Sequence, residues 1–424
     1  MSIISPLDEA HLLSLGLLGP ESNGMRSLYK TYTNRSSWQE YGFMSLDSAD
    51  SFTLIPDKFI SEATLLYFGF SPERAHELWM EWEAGDPERN GLDMVNLYDL
   101  ALDYADTWDR LFCVTADDGD EEWYCTMEDC GISDQLQEAI MDPIFENVRN
   151  TKSCFLWITE TITSRFDSLM EIQTASKERE AILQTGSIPT WWTPPQGRFE
   201  PSIGAITAKK TPFLSWDSCP FFTAFKVLDL TSTEGLFDQD GSIDDITKLI
   251  SRKMCTLRVH GGYSFVADEE FATSSAAYAK RRDENATIMV VSLIVARSAL
   301  ATIPQKKFQE IYWPATKWKK LVYHRRRTTR KHPPSLKRFK QATLIVGTMA
   351  LCSPRAFTRL THYREITEAY VAKTSRGPVT EVCWSRERHG ERFLLQHGRF
   401  SASILTWTEY KAWMIDQRQV LVVH

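Results

Sequence analysis

Between Gly186 and Pro220 the hydrophobic pattern of this chain changes period, and that change limits the folds open to it more than any other feature. Before it, apolar residues recur at helical spacing. Ser71-Pro72-Glu73 reads as a helix start, with an N-cap hydroxyl, proline at the first helical position and an acid at the positive end of the dipole. Ala75, Leu78, Trp79 and Trp82 follow at i, i+3, i+4 and i+7, and Gly85-Asp86-Pro87 is the expected stop. One further stripe runs from Met94 through Leu97, Ala101 and Ala105 to Phe112, and another from Cys154 through Ile158 and Ile162 to Ile172. After the break, strands are expected at Phe221 to Leu230, Met254 to Val259, Tyr263 to Ala267, Thr287 to Ala296 and Ala342 to Met349. The fourth is expected at the centre of the sheet, and the fifth reads as buried on both faces. Helices are predicted at Ile243 to Ile250, Glu269 to Arg282 and Ala315 to Arg326.

The fold class implied is α+β, an N-terminal all-helical domain followed by a mixed α+β domain. Residues 1–60 read as a loosely structured lead-in, 61–185 as an acidic helical domain, 186–220 as a Pro/Trp-rich connector and 221–424 as a basic α+β domain. The connector holds prolines 189, 194, 195, 201, 212 and 220 beside Trp191-Trp192, so it is either an interdomain link or a strap pinned to the core by its tryptophans. A chain of 424 residues with 43% hydrophobic content is too apolar for intrinsic disorder and long enough for two domains.

Charge divides the same way. Residues 1–250 carry 43 acids and 17 bases, net −26, whereas residues 251–424 carry 13 acids and 31 bases, net +18. Two blocks of opposite sign either dock through long-range attraction or each keep a solvated surface of one sign. The start of the chain lacks a basic n-region, and the longest apolar run, Thr287 to Ala296, is too short to cross a bilayer as a helix. The eight cysteines are scattered, without a Cys-x-x-Cys pair, and read as reduced, mostly buried thiols. The expectation is an intracellular protein, cytoplasmic or nuclear, with no membrane partner.

No complete catalytic or metal motif is present. Asp117-Asp118-Gly119-Asp120-Glu121-Glu122 and Asp238-Gln239-Asp240-Gly241 miss the ligand offsets of a calcium loop and read as solvated acidic loops. Asp99, Asp103 and Asp106 share a helix face and read as its wet side, so no metal is expected. No nucleophile elbow and no Gly-rich phosphate loop appears, which disfavours hydrolase and P-loop chemistry. The strongest feature is the basic tract from Lys317 to Lys340, eleven Lys or Arg with no acid, interleaved with Trp318, Tyr323 and Phe339. Arg325, Arg326, Arg327, Arg330 and Lys331 are its candidate contacts to nucleic acid or to a protein partner. The tract equally reads as a nuclear address or as a helix with a charged outer face, because Trp318, Leu321 and Val322 have helical spacing. Any nucleic-acid binding is expected to be weak and without sequence preference.

Gly262-Tyr263-Ser264-Phe265-Val266-Ala267-Asp268, then Ala272-Thr273-Ser274-Ser275-Ala276-Ala277-Tyr278-Ala279 and the strand Ile288 to Val295, resemble the ADP-ribosyltransferase fold. Trp318-Lys319-Lys320-Leu321-Val322 and Leu344-Ile345-Val346-Gly347 are similar to later parts of fungal transferase-like families. The resemblance covers about 130 residues of the C-terminal half. It implies NAD as cofactor, with an aromatic at Tyr263 or Phe265 stacking the nicotinamide and His260 as the nearest candidate for holding the dinucleotide. The strand Phe221 to Val227 carries no His or Arg, and no acid follows Gly347 directly. The resemblance therefore implies an NAD-dependent ADP-ribosyltransferase or, somewhat favoured by these gaps, a degenerate relative that has lost catalysis. The reading of a different class is a non-enzymatic interaction protein, using its acidic helical domain and basic tract to bind protein or nucleic acid.

Overall fold

The computed structural model describes residues 2–33, 52–85, 94–112, 119–185, 220–230, 233, 235–238, 241–251, 257, 262–326, 333–351, 357 and 359–423. It is a mixed helix-and-sheet protein with two compact units. The first comprises Met1–Asp142, Cys154–Pro195 and Ala279–Thr287; the second comprises Pro143–Ser153, Gln196–Tyr278 and Ile288–His424.

The first unit is built on the 32-residue helix Cys154–Thr185, which buries Ile158, Ile162, Leu169 and Ile172 on one side. The helix expected at Ser71 is present as Pro72–Ala84: Ser71 Oγ accepts the Arg74 amide, Pro72 opens the first turn and Gly85 closes the last. In front of it Glu62–Phe68 is capped by Ser61 and ends on Gly69 at φ +108°, a left-handed turn that favours glycine. The described residues before residue 60 are not loose. They form the helix Pro6–Ser14 and an antiparallel hairpin of β1 (Met25–Tyr29) with β2 (Phe52–Pro56), so the unit is not purely helical. What ties this segment down is a buried ion pair, Asp8 to Arg179 of the long helix at 2.8 Å, with Ser176 Oγ donating to the same carboxylate at 2.6 Å. Sequence spacing across some 170 residues carries no trace of such a pair.

Ala279–Thr287 also belongs to this unit although it lies deep in the second half of the chain. Arg282 Nη1 donates to Thr161 Oγ1 at 2.8 Å, and its guanidinium lies 4.5 Å from the centre of the Trp157 ring. Asp283 accepts from the hydroxyls of Ser164 and Ser168, both at 2.9 Å. Arg165 donates to the Arg282 carbonyl, and Asn285 donates to the Tyr67 hydroxyl at 3.0 Å.

The second unit holds a seven-stranded sheet. Its strands are β3 (Phe221–Asp229), β4 (Gly262–Val266), β5 (Ile288–Ala296), β6 (Phe308–Ile311), β7 (Leu344–Thr348), β10 (Thr380–Ser385) and β11 (Gly398–Ile404); the short β8 (Lys373–Thr374) and β9 (Gly377–Pro378) form a separate hairpin. The order is β11-β5-β3-β4-β10-β7-β6, antiparallel throughout except for the parallel β6–β7 pair. The centre is β4, not β5. The long apolar run of β5 fooled the count because its outer face is half-buried rather than exposed, so it lacks the polar alternation that marks a strand near an edge. As expected, β7 is buried on both faces: Leu344 and Val346 pack into one core with Tyr263, Phe265 and Trp384, and Ile345 packs into the other with Trp318 and Phe339.

Candidate functional site

Tyr263 and Phe265 lie side by side on β4 with 0% and 1% exposure. The Tyr263 hydroxyl reaches Glu391 Oε2 at 3.1 Å. Burial, then the hydrogen bond and charge of Glu391, push its pKa well up. Phe265 meets Trp384 edge-on, ring centres 5.8 Å apart. Both rings are part of the core, and neither presents a face to a planar ligand. His260, the third residue of the dinucleotide expectation, lies outside the described residues.

Beside Phe265 sits a group to which sequence reasoning assigned no role. Lys226 on β3 donates to Ser251 Oγ at 2.6 Å and to the Ser264 carbonyl at 3.2 Å, with its ammonium 5.9 Å from the Phe265 ring centre. Desolvation, then the like charge of Lys152, lower its pKa to about 8, against a smaller opposing pull from Glu381. Its strand position gave no signal, because an isolated lysine in an apolar run ordinarily snorkels to water.

The basic tract divides into a packed side and an open one. In the helix Thr316–Arg326, Trp318, Leu321 and Val322 are buried, and Trp318 Nε1 donates to the Thr348 carbonyl at 2.8 Å. Arg326 is 6% exposed and Arg326 Nη2 donates to the Ala350 carbonyl at 3.3 Å, so it is a packing residue and not a surface contact. Arg325 is half-buried, while Arg327, Arg330 and Lys331 lie outside the described residues. Phe339 is buried as well, with Arg338 stacked on it at 4.7 Å.

The open side starts at the helix's first turn. Lys317 is exposed. Lys319 Nζ sits 4.7 Å from the centre of the half-buried Trp313 ring, and Lys320 Nζ sits 4.9 Å from that of Tyr363. Arg364 is exposed next to Tyr363. Desolvation is the largest single influence on the Tyr363 phenol and raises it, yet hydrogen bonding and charge from Arg364 and Lys320 together hold it below its ordinary value. Lys373–Glu368 and Arg376–Glu270 are ion pairs of this unit; among the described residues Lys317, Lys319, Lys320 and Arg364 are paired with no carboxylate. The helix has no acid in its first turn, so its macrodipole adds to the lysine charges rather than offsetting them. Trp313, Tyr363 and Arg364 were missed as site residues because they flank the tract or come from a segment about 40 residues on.

Among the described residues no group of three or more His, Cys, Asp or Glu side chains is placed to hold a metal ion. No helix among them is long and apolar enough to cross a membrane. Cys125, Cys130 and Cys154 are free, whereas Cys383, buried on β10, is disulfide-bonded. The all-reduced reading is thus corrected, and the intracellular address loses the support it drew from it. Compared with family models, with curated proteins and with solved structures, the chain matches none.

Proposed function

We propose that this is a binding protein that takes up a phosphate-bearing polyanion on the second unit, through the surface where Lys317, Lys319 and Lys320 meet Arg364. The supporting observation is a set of four cations, Lys319 and Lys320 each beside a half-buried ring, Arg364 next to the second ring and Lys317 exposed on the same helix, none of them ion-paired with a carboxylate among the described residues. A folded protein leaves such a cluster uncompensated only at a cost in self-repulsion, which a bound polyanion relieves. The transferase-like reading has less behind it, since a nicotinamide stacked on Tyr263 or Phe265 would require the core to open. The test is binding of long-chain polyphosphate by the full chain across a salt series. Log affinity is expected to fall linearly with log salt, as counterions are released by phosphate contacts. Reversing charge with Lys317→Glu, Lys319→Glu and Lys320→Glu together is expected to abolish binding. No binding at low salt, or binding indifferent to these changes, would overturn the proposal.

A further inference from the structure

The polyanion reading leaves the two rings without a task, and resting on that reading we infer that the occupant is a single-stranded nucleic acid whose bases stack on Trp313 and Tyr363. A polymer of phosphate alone needs only charge. Here each of two adjacent lysines, Lys319 and Lys320, hangs over a different aromatic ring, at 4.7 and 4.9 Å. The back of each ring is fixed: Trp313 stands edge-on to the fully buried Trp318 with centres 5.5 Å apart, and both Trp313 and Tyr363 pack against the core around Trp318 and Phe357. Each ring packs against the core and has a lysine ammonium beside it; at Tyr363 that ammonium also hydrogen-bonds the phenol, and the His362 ring lies 4.0 Å away. The lysine swings to a phosphate, and a base takes its place on the ring. Base–aromatic stacking tolerates any sequence, because every base has a π-face, and the cations follow the backbone. A duplex offers the phosphates but hides the base faces. Of the tract's own aromatics, Trp318 and Phe339 are buried, and the half-buried Tyr323 is tied down by donating its hydroxyl to the Leu360 and Thr361 carbonyls.

The experiment measures binding of the full chain to a fluorescein-labelled 20-mer of thymidylate, to a duplex of the same length and to long-chain polyphosphate, by anisotropy and competition. Tyr363→Leu and Trp313→Leu keep bulk against the core while removing the π-face, and Trp313→Phe restores a ring. Each leucine variant is expected to weaken the single strand by roughly five- to a hundredfold, to leave polyphosphate affinity unchanged, and, for Trp313, to be rescued by phenylalanine. Four engaged cations predict a log–log salt slope of roughly −3 on the single strand. Leucine variants that bind the 20-mer as the unaltered protein does, or a duplex that binds as tightly as the single strand, would overturn the stacking inference while leaving the polyanion reading intact. Failure of all three probes at low salt would remove both. A leucine variant with a lowered melting temperature is judged on the ratio of its two affinities, which misfolding lowers together and loss of stacking separates.

Discussion

At the scale of single residues, Lys226 carries an energetic statement of its own. A lysine whose pKa is lower folded than unfolded binds fewer protons in the native state, so it opposes folding at low pH, and that opposition fades as pH rises from about 8 toward the ordinary lysine value of 10.5. The gap is worth roughly 3 kcal/mol as an upper bound, less whatever solvent reaches the amine. Stability is therefore expected to rise between pH 8 and 10, and Lys226→Met is expected to flatten that rise without lowering stability at pH 7. Urea unfolding at several pH values checks both; a slope unchanged by the substitution would mean that Lys226 is not the desolvated group. Tyr263 and Phe265 belong to this scale too. With their rings enclosed, millimolar NAD is expected to leave the melting temperature unchanged, and a rise that grows with NAD concentration would restore the dinucleotide reading.

At the scale of elements, the helix Thr316–Arg326 separates packing from charge along one short sequence. Trp318→Ala is expected to cost about 3–5 kcal/mol, since it empties a fully buried site and leaves the Thr348 carbonyl without its indole donor. Lys317→Ala is expected to shift stability by less than about 0.5 kcal/mol, and it should still weaken polyanion binding. Arg326→Ala should behave like a core substitution despite its charge. In the sheet, a Cβ at Gly347 would collide with the Ile311 carbonyl on the paired β6 strand. Gly347→Ala is expected to destabilise by about 1–3 kcal/mol through this overpacking. Thermal and urea melts of the four variants rank these effects directly, and an innocuous Gly347→Ala would show that β6 and β7 do not pair this closely.

At the scale of the whole molecule, the two units are not the two halves of the chain. Nine residues of the second half, Ala279–Thr287, are internal to the first unit, and Pro143–Ser153 is internal to the second. In the second, Phe145 stacks on Trp413 of the C-terminal helix Trp407–Val423, with centres 5.5 Å apart. A cut near residue 220 therefore removes Thr161, Ser164 and Ser168 from Arg282 and Asp283. Fragments 1–220 and 221–424 expressed separately are expected to lack a cooperative melt, and mixing them should restore one. An independently cooperative 221–424 fragment would show that the contacts of Arg282 and Asp283 with the long helix are dispensable. Asp283→Ala in the full chain is the milder version, expected to cost about 1–3 kcal/mol by stranding the buried Ser168 hydroxyl and the half-buried Ser164 hydroxyl.

What the residues alone determined is what local chemistry dictates. The Ser71 cap with Pro72, the helix Glu269–Arg282, and the strands beginning near Phe221, Gly262, Ile288 and Leu344 all follow from spacing, capping and β-branched runs within about ten residues, while the strand expected at Met254 to Val259 lies almost wholly outside the described residues. The packed face of the basic helix was legible for the same reason. Strand β6 with four residues, β11 with its alternation of Ser, Ala and Arg, and the Trp407–Val423 helix carried signals too short or too mixed to read. Everything that needed partners distant in sequence was decided by the tertiary structure: the rank of β4 over β5, the burial of Tyr263 and Phe265, the Asp8–Arg179 pair, the desolvated Lys226, and the meeting of Lys320 with Tyr363. Side-chain type states what a group can do. Whether it faces water, a ring or a carboxylate is set by which segments the fold brings beside it, and a linear pattern holds no record of that.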